Sequence, residues 1–426
     1  MAITQSKTRE DIRNAIGRNR GKMVTGTTSG SGSTTTAVDA TLFGGDDEYN
    51  GSYIRLTSGT YDGTTRRITD YASSTGTMTF SAVAGTVAGS VTYELWDSNF
   101  DPQIIDEFIN QAIWESTGRI YDPEESLDVH TDKINARWEI PSQFAMIQDI
   151  YYRHKYTSKT LHACGTTFDE TTDSDITQAV STEDYKRDGR SLKLTIAVGA
   201  SAGDKITDSI SSVDLSKYDF IEFWIKSTVA TSAGNLKIHL DNGTVTADGN
   251  DLESLNVPAL TADTWKYCRV ALSNPESDTA IVSIGLEYDS DLGACTVFLD
   301  DIKAVKNDTA VWEKLDRNTW RIDKQGSQGA STQDLILNDR GRTLAGNNLL
   351  KIVGGDEPAE LSADSDTTEV PERFVTAYAT ALAAQAGSTR TDMDMDAMRN
   401  IAAFWFTKTE QARYSLPFLT NVRTVR

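Results

Sequence analysis

The residues that could do chemistry are scattered, and most near-motifs fail on context. Gly199-Ala-Ser-Ala-Gly203 has the Gly-x-Ser-x-Gly spacing of a nucleophile elbow. That spacing works only where a strand passes into a helix, and here it separates two polar-flanked runs, so it reads as a turn. Gly17-Arg-Asn-Arg-Gly-Lys22 is one residue short of a phosphate-binding loop and lacks the following Ser or Thr. Asp392-Met-Asp-Met-Asp396 opens like a calcium loop, but Ala397 stands where the central Gly belongs and Ala403 where the closing Glu does. A helix N-terminus explains those carboxylates better. The four histidines, His130, His154, His162 and His239, lack metal-ligand spacing, although His154 and His162 are near neighbours. No local pattern singles out a carboxylate pair for glycoside hydrolysis.

Composition narrows the classes further. The chain has 426 residues, enough for about two to four domains. It carries 41 basic and 62 acidic residues, a formal charge of −21, which argues against a coat held to nucleic acid by phosphate contacts. The ends differ from the body. Residues 1–22 carry six basic groups against Glu10 and Asp11, and residues 408–426 carry four against Glu410. Two basic arms on an acidic body suit docking on acidic neighbours or on nucleic acid, or are simply solvated termini. Cys164, Cys268 and Cys295 lie far apart and form neither a disulfide framework nor a zinc knuckle, so buried thiols of a protein made in a reducing cytoplasm are expected. Met1–Lys22 lacks the apolar core of a signal peptide. No apolar run approaches the ~20 residues of a membrane span, so no membrane partner is expected.

Periodicity divides the chain into segments. Residues 1–22 predict a short helix with Ile12, Ala15 and Ile16 on one stripe, too narrow to hold without a partner surface. Residues 23–97 are rich in Gly, Thr and Ser, with short alternating runs such as Ser52–Leu56 and Val91–Trp96. They predict a small antiparallel barrel or sandwich. Residues 98–156 hold the clearest helix, Asp101–Gly118, with Ile105, Phe108, Ile109, Ala112 and Ile113 on its apolar stripe and Asp106, Glu107 and Glu115 off it. Residues 157–306 predict a complete β-sandwich, with strands near 191–196, 220–225, 236–240, 265–270, 281–286 and 296–302. Residues 307–416 read as a strand meander through Leu349-Leu-Lys-Ile-Val353, then two helices beginning near Pro371 and Asp392. Residues 417–426 leave as an arm. Residues 157–306 would be an insertion whose ends lie close in space, with Val311–Leu315 and Thr319–Ile322 as the partner strands of 136–156.

The helix Ile-Asp-Glu-Phe-Ile-Asn-Gln-Ala-Ile-Trp (105–114), the Leu-Lys-Ile strand, the acidic loop Asp356–Glu369 and the two following helices resemble the head-to-tail adaptor (connector) proteins of tailed bacteriophages. The resemblance covers roughly residues 97–156 and 308–426. It implies an α+β multidomain chain in which a helical adaptor core carries the small β domain and the inserted jelly roll. It also implies a structural virion protein, not an enzyme, that assembles in the host cytoplasm into a homo-oligomeric ring of about twelve copies at the head–tail junction. The partners would be the portal protein above, a tail protein below, and genomic DNA passing without specific binding. Asp106, Glu107 and Glu115 would face that DNA channel, with a solvated polar face as the plain alternative. Phe418, Arg423 and Arg426 would make the portal contact.

A second resemblance falls on the insertion. Glu222-Phe-Trp-Ile-Lys226, Thr264-Trp-Lys266 and Phe298-Leu-Asp-Asp-Ile302 resemble jelly-roll carbohydrate-binding modules. It implies the alternative function, a virion adhesin that binds host-surface glycans through the sandwich. In that family an Asp-Asp strand contributes a carboxylate to a structural calcium, which puts Asp300 or Asp301 there. Calcium takes about six to eight oxygens and only these one or two can be named, so no cofactor is expected beyond such an ion. Sugar binding needs exposed rings for CH–π stacking. Trp224, Trp265 and Tyr267 read as core of the sandwich, leaving Tyr185 and Tyr288 as glycan-binding candidates.

Overall fold

Two long strands, Met146–His162 and Cys295–Lys314, run antiparallel through the middle of the molecule and belong to two bodies at once. The computed structural model describes residues 7–21, 23–116, 120–132, 135–245, 251–325, 332–387, 394–414 and 423–424. Along the paired strands Tyr151 lies opposite Lys314, Thr157 opposite Lys306 and His162 opposite Ile302. The register slips between Arg153 and Lys155, between Lys155 and Thr157 and between Thr160 and His162. Bulges of this kind bend a strand and increase its twist, which lets one ribbon serve two cores.

At one end the pair forms part of a β-sandwich. Cys295–Lys314 pairs with Ser191–Ile196 and Phe220–Ser227, which pairs in turn with Lys266–Ala271. The facing sheet has five strands in the order Thr171–Thr172, Asp204–Val213, Ile281–Tyr288, Leu236–Asp241 and Glu253–Asn256. Alternation explains the core. Ile221, Phe223 and Ile225 from one sheet meet Leu236, Ile238, Leu240, Ile284 and Leu286 from the other, all nearly inaccessible. At the other end Met146–His162 pairs with Leu350–Asp356, which pairs with Asp122–Ser126. Phe144, Ile147, Ile150, Leu315, Trp320, Leu335 and Leu350 form that body's own core. A three-stranded sheet of Trp320–Gln325, Thr332–Leu337 and Arg137–Glu139 closes it.

The N-terminal β domain is a six-stranded antiparallel sheet around Ile54, Leu56, Ile68, Tyr71, Met78 and Phe80. The described helices are α1 (Arg9–Arg20), α2 (Pro102–Ser116), α3 (Asp339–Ala345), α4 (Glu372–Gly387) and α5 (Met395–Arg413). α1 is capped by Thr8 and ended by Gly21 in the left-handed region. Its Gly17 sits so close to Met23 and Trp96 that a Cβ would stand 2.7 Å from Met23 Cβ. That glycine serves tight packing on the β domain, not phosphate binding. α1, α2, α4 and α5 share a core of Ile12, Ile16, Ile105, Ile109, Phe374, Val375 and Ala412.

The expected helical adaptor core is therefore corrected. Among the described residues strand accounts for 41% and helix for 20%. The short apolar runs on either side of the sandwich pair with one another over long sequence separations, α3 packs into their core, and α1, α2, α4 and α5 form one layer beside them. That layer is fastened to the β domain by buried charge. Arg13, fully inaccessible, reaches Glu94 (Nε–Oε2 2.8 Å), Asp106 (Nη1–Oδ1 2.8 Å) and Asp364 (Nη2–Oδ2 2.8 Å), and Arg55 and Arg9 also bind Asp364. Burial pushes the Asp364 carboxyl up, but hydrogen bonds from Arg13 and Arg55 outweigh it and hold it well below the usual carboxylate range.

Candidate functional site

A concave feature that carries both rings and charges lies on the outer face of the sandwich, where the second body leans over it. The strand Phe220–Ser227 sends Ile221, Phe223 and Ile225 inward, so Glu222, Trp224 and Lys226 must point outward. Trp224 stands opposite Tyr267 on the neighbouring strand, with ring centroids 5.1 Å apart and planes at 65°. Trp265 lies beside them, half-buried, its indole Nε1 donating to Asp184 Oδ1 at 2.6 Å. From the second body come His130 and the strand Arg137–Glu139 with Trp138. The His130 ring lies 3.9 Å from the Tyr267 ring at a 31° tilt and edge-on to Trp224 at 5.2 Å. Between these walls is an open cleft of 460 Å³, to which Asp128, Asn135, Glu139, Asp263 and Thr264 also contribute.

The floor is held by a buried charge pair. Arg153 donates to both oxygens of Glu222, at 2.7 and 2.6 Å, and the Tyr267 hydroxyl donates to Glu222 Oε2. Burial pushes the Tyr267 phenol well up, and the adjacent Glu222 charge adds to it. Burial also drives His130 well below the ordinary imidazole value, with Lys303 reinforcing the effect, so the ring on Tyr267 is neutral. One rim is the loop carrying Asp184, Tyr185 and Lys186. Asp300 Oδ2 accepts from the backbone N–H of Lys186 and of Arg187, at 2.7 Å each, and Lys186 Nζ donates to Asp132 Oδ2 at 3.0 Å.

These contacts relocate several expected residues. Trp224, Trp265 and Tyr267 lie on the outward face of the sheet, not between the two sheets; Trp224 is buried there, 5% exposed, against His130 and Tyr267, while Trp265 and Tyr267 are half-buried. The alternation Glu222-Phe-Trp-Ile-Lys226 already carried that signal. Tyr288 is the reverse case: it shares parity with Ile284 and Leu286, is 1% exposed, and belongs to the core, so it cannot stack on a sugar. Tyr185 is 37% exposed on the rim. Asp300 holds the rim loop, while Asp301 is occupied by Arg187 and Lys303, two cations where a calcium would have to sit. No group of three or more metal-ligating side chains occurs among the described residues. Asp106 is corrected from a channel-facing position to the buried Arg13 cluster. Glu107 is exposed, and Glu115 is exposed and paired with Arg413. The backbone of Arg423 pairs with Ile147. Phe418 and Arg426 lie outside the described residues.

The other near-motifs resolve as local structure. Ser201 lies in an exposed turn, its N–H donating to Asp204. Asp394 caps α5 through Asp396 N and Ala397 N. His154 and His162 face Glu313 and Asp208 separately.

The opposite outer face of the sandwich is different. Its alternate positions are Lys237, His239 and Asp241 on one strand and Ser283, Gly285 and Glu287 on the next, without a Trp, Tyr or Phe. His239 lies buried between Asp251 (Nδ1–Oδ2 2.8 Å) and Glu287.

No family model and no curated protein matches the chain. Among solved structures, the chain is similar to carbohydrate-binding modules. One is the family 11 module of the cellulosomal cellulase Lic26A-Cel5E of Clostridium thermocellum: 15% identity, TM-score 0.27, covering 36% of this chain and 96% of that one. Another is a family 30 module, at 14% identity and TM-score 0.26, covering 42% and 95%. A third is a family 29 module titled as complexed with mannohexaose, at 10% identity and TM-score 0.23, covering 36% and 94%. At these scores the likeness transfers no ligand, and the cleft's own chemistry has to carry the function. No finding supports the adaptor resemblance of the flanking segments.

Proposed function

We propose that this protein binds a glycan, without chemical turnover, in the cleft between the sandwich and the second body. The observation that carries the reading is the clustering of Trp138, Trp224, Trp265 and Tyr267 with carboxylate and amide side chains in one open cleft of 460 Å³. Sugars have apolar C–H faces and polar rims. A site for them needs ring surfaces flanked by groups that donate or accept hydrogen bonds, which is what an apolar pocket with a few placed polar groups supplies. The opposite face of the sandwich lacks those rings. The cleft is composite, since Trp138 and Glu139 come from the second body and Trp265 and Tyr267 from the sandwich. The full chain is therefore the unit that binds.

The test is a titration of the full chain, by calorimetry, against a panel of defined oligosaccharides. Saturable binding by at least one of them, reduced tenfold or more in Trp265→Ala with an unchanged melting temperature, is the expected result. Equal binding by the wild type and Trp265→Ala, or binding by none of the panel, overturns the reading.

A further inference from the structure

The cationic and anionic groups of the cleft are not balanced in the same way. Arg137 is neutralised from behind by Asp323 (2.9 Å) and Asp334 (3.1 Å). Lys186 is neutralised by Asp132, and its ammonium also lies 5.2 Å over the Trp224 ring. Lys266 points to the carbonyl of Ala259 at 3.0 Å. Three lining carboxylates, Asp128, Glu139 and Asp263, are exposed and have no cationic partner among the described residues. Asp263 is held in the left-handed region, at φ 57°, where its N–H is tied to Ser227 O. The cleft thus combines ring faces with three carboxylates that lack a salt bridge among the described residues, Asp128 accepting only from the Ser126 hydroxyl at 2.8 Å, against one cation, Lys266, without a carboxylate partner; the chain around it carries −21.

Building on the glycan-binding reading, we infer that the ligand is an amino sugar oligomer bearing protonated amines. An ammonium gains from an aromatic face through the ring quadrupole and from an unpaired carboxylate through charge. The same carboxylates and the negative field of the whole chain repel uronate, sialate or phosphate-bearing glycans. A neutral sugar uses the rings but leaves the three carboxylates without a counter-charge.

The experiment compares glucosamine hexamer, its fully N-acetylated counterpart, cellohexaose and an oligogalacturonate, titrated into the full chain at low salt. The first two share a backbone and differ at the amino group, a protonated amine in one and a neutral acetamide in the other. The glucosamine hexamer is expected to bind at least tenfold more tightly than the N-acetylated one, and the oligogalacturonate not at all. The gap should close in 0.5 M salt, where charges are screened over about 4–5 Å, and should narrow in the double variant Glu139→Gln, Asp263→Asn. If the N-acetylated, neutral or acidic oligomer binds as tightly as the amine, the charge inference is wrong and the glycan site stands. If no oligomer binds, both fall.

Discussion

Arg13 and Arg153 are both buried arginines paired with carboxylates, yet they do different work. Arg13 sits in a closed cluster with Glu94, Asp106 and Asp364, further bridged by Arg9 and Arg55, and joins α1, α2, the β domain and the acidic loop. No aromatic cleft opens onto it. Arg153 is paired with Glu222 alone among carboxylates, and that pair carries the Tyr267 hydroxyl beneath an open cleft. The first is a fastening, its guanidinium fully inaccessible and hydrogen-bonded to carboxylates of three separate segments. The second is a floor, where the charges fix the Tyr267 ring, and with it the adjoining His130, at the base of the cleft. Burial of charge alone therefore says nothing of function; what lies on the solvent side of the pair does.

The largest expected effect breaks the fastening. Arg13→Ala strands Glu94 and Asp106 in a buried site and should cost about 3–5 kcal/mol of unfolding free energy, read by denaturant titration. Glycan affinity of the folded fraction should be unaltered. Arg153→Ala should cost about 3 kcal/mol and should also weaken glycan binding, because Tyr267 loses its held partner. If Arg153→Ala lowers stability but leaves affinity intact, the floor is only another fastening. Trp265→Ala should do the converse, lowering affinity tenfold, about 1.4 kcal/mol, with stability changed by less than about 1 kcal/mol. Acid titration separates the regions more gently. The Asp364 carboxyl lies below its unfolded value, so its contribution is present above about pH 4 and is lost as pH falls through the folded value. Asp278 is the reverse case. Burial and the neighbouring Glu253 push its carboxyl up to about 7. Its contribution is complete below the unfolded value and disappears as pH rises toward 7. Asp278→Asn should therefore flatten the stability profile between about pH 4 and pH 7, with no change in the cleft.

Much of the sandwich was legible because its strands alternate and are bounded by turn residues. The runs near 191–196, 236–240 and 281–286 fall on observed strands. Cys295–Lys314 was read too short, since Lys306-Asn-Asp-Thr309 looks like a turn and is instead carried through by pairing with Met146–His162. The strand Asp204–Val213 was missed because polar Thr207 and Asp208 are buried in it and Ser209, Ser211 and Ser212 fill its exposed positions, so no apolar alternation marks it. The fold class was misjudged because amphipathic helices announce themselves locally, whereas Asp122–Ser126 becomes a strand only by pairing with Leu350–Asp356 across more than two hundred residues. Asp106 was misplaced for the same reason: its arginine lies 93 residues earlier. The cleft needed no long-range knowledge for Trp224, only strict alternation, but Trp138 and His130 reach it through tertiary packing that no local pattern records.

Hydrogen–deuterium exchange of the full chain, with and without a saturating oligosaccharide from the panel, tests the cleft most directly. Slowed exchange should appear in Arg137–Glu139 and Lys266–Ala271, from the two bodies together, while Leu236–Asp241 on the opposite sheet stays unchanged. Slowing confined to Leu236–Asp241, or absent from both walls of the cleft, would contradict the account.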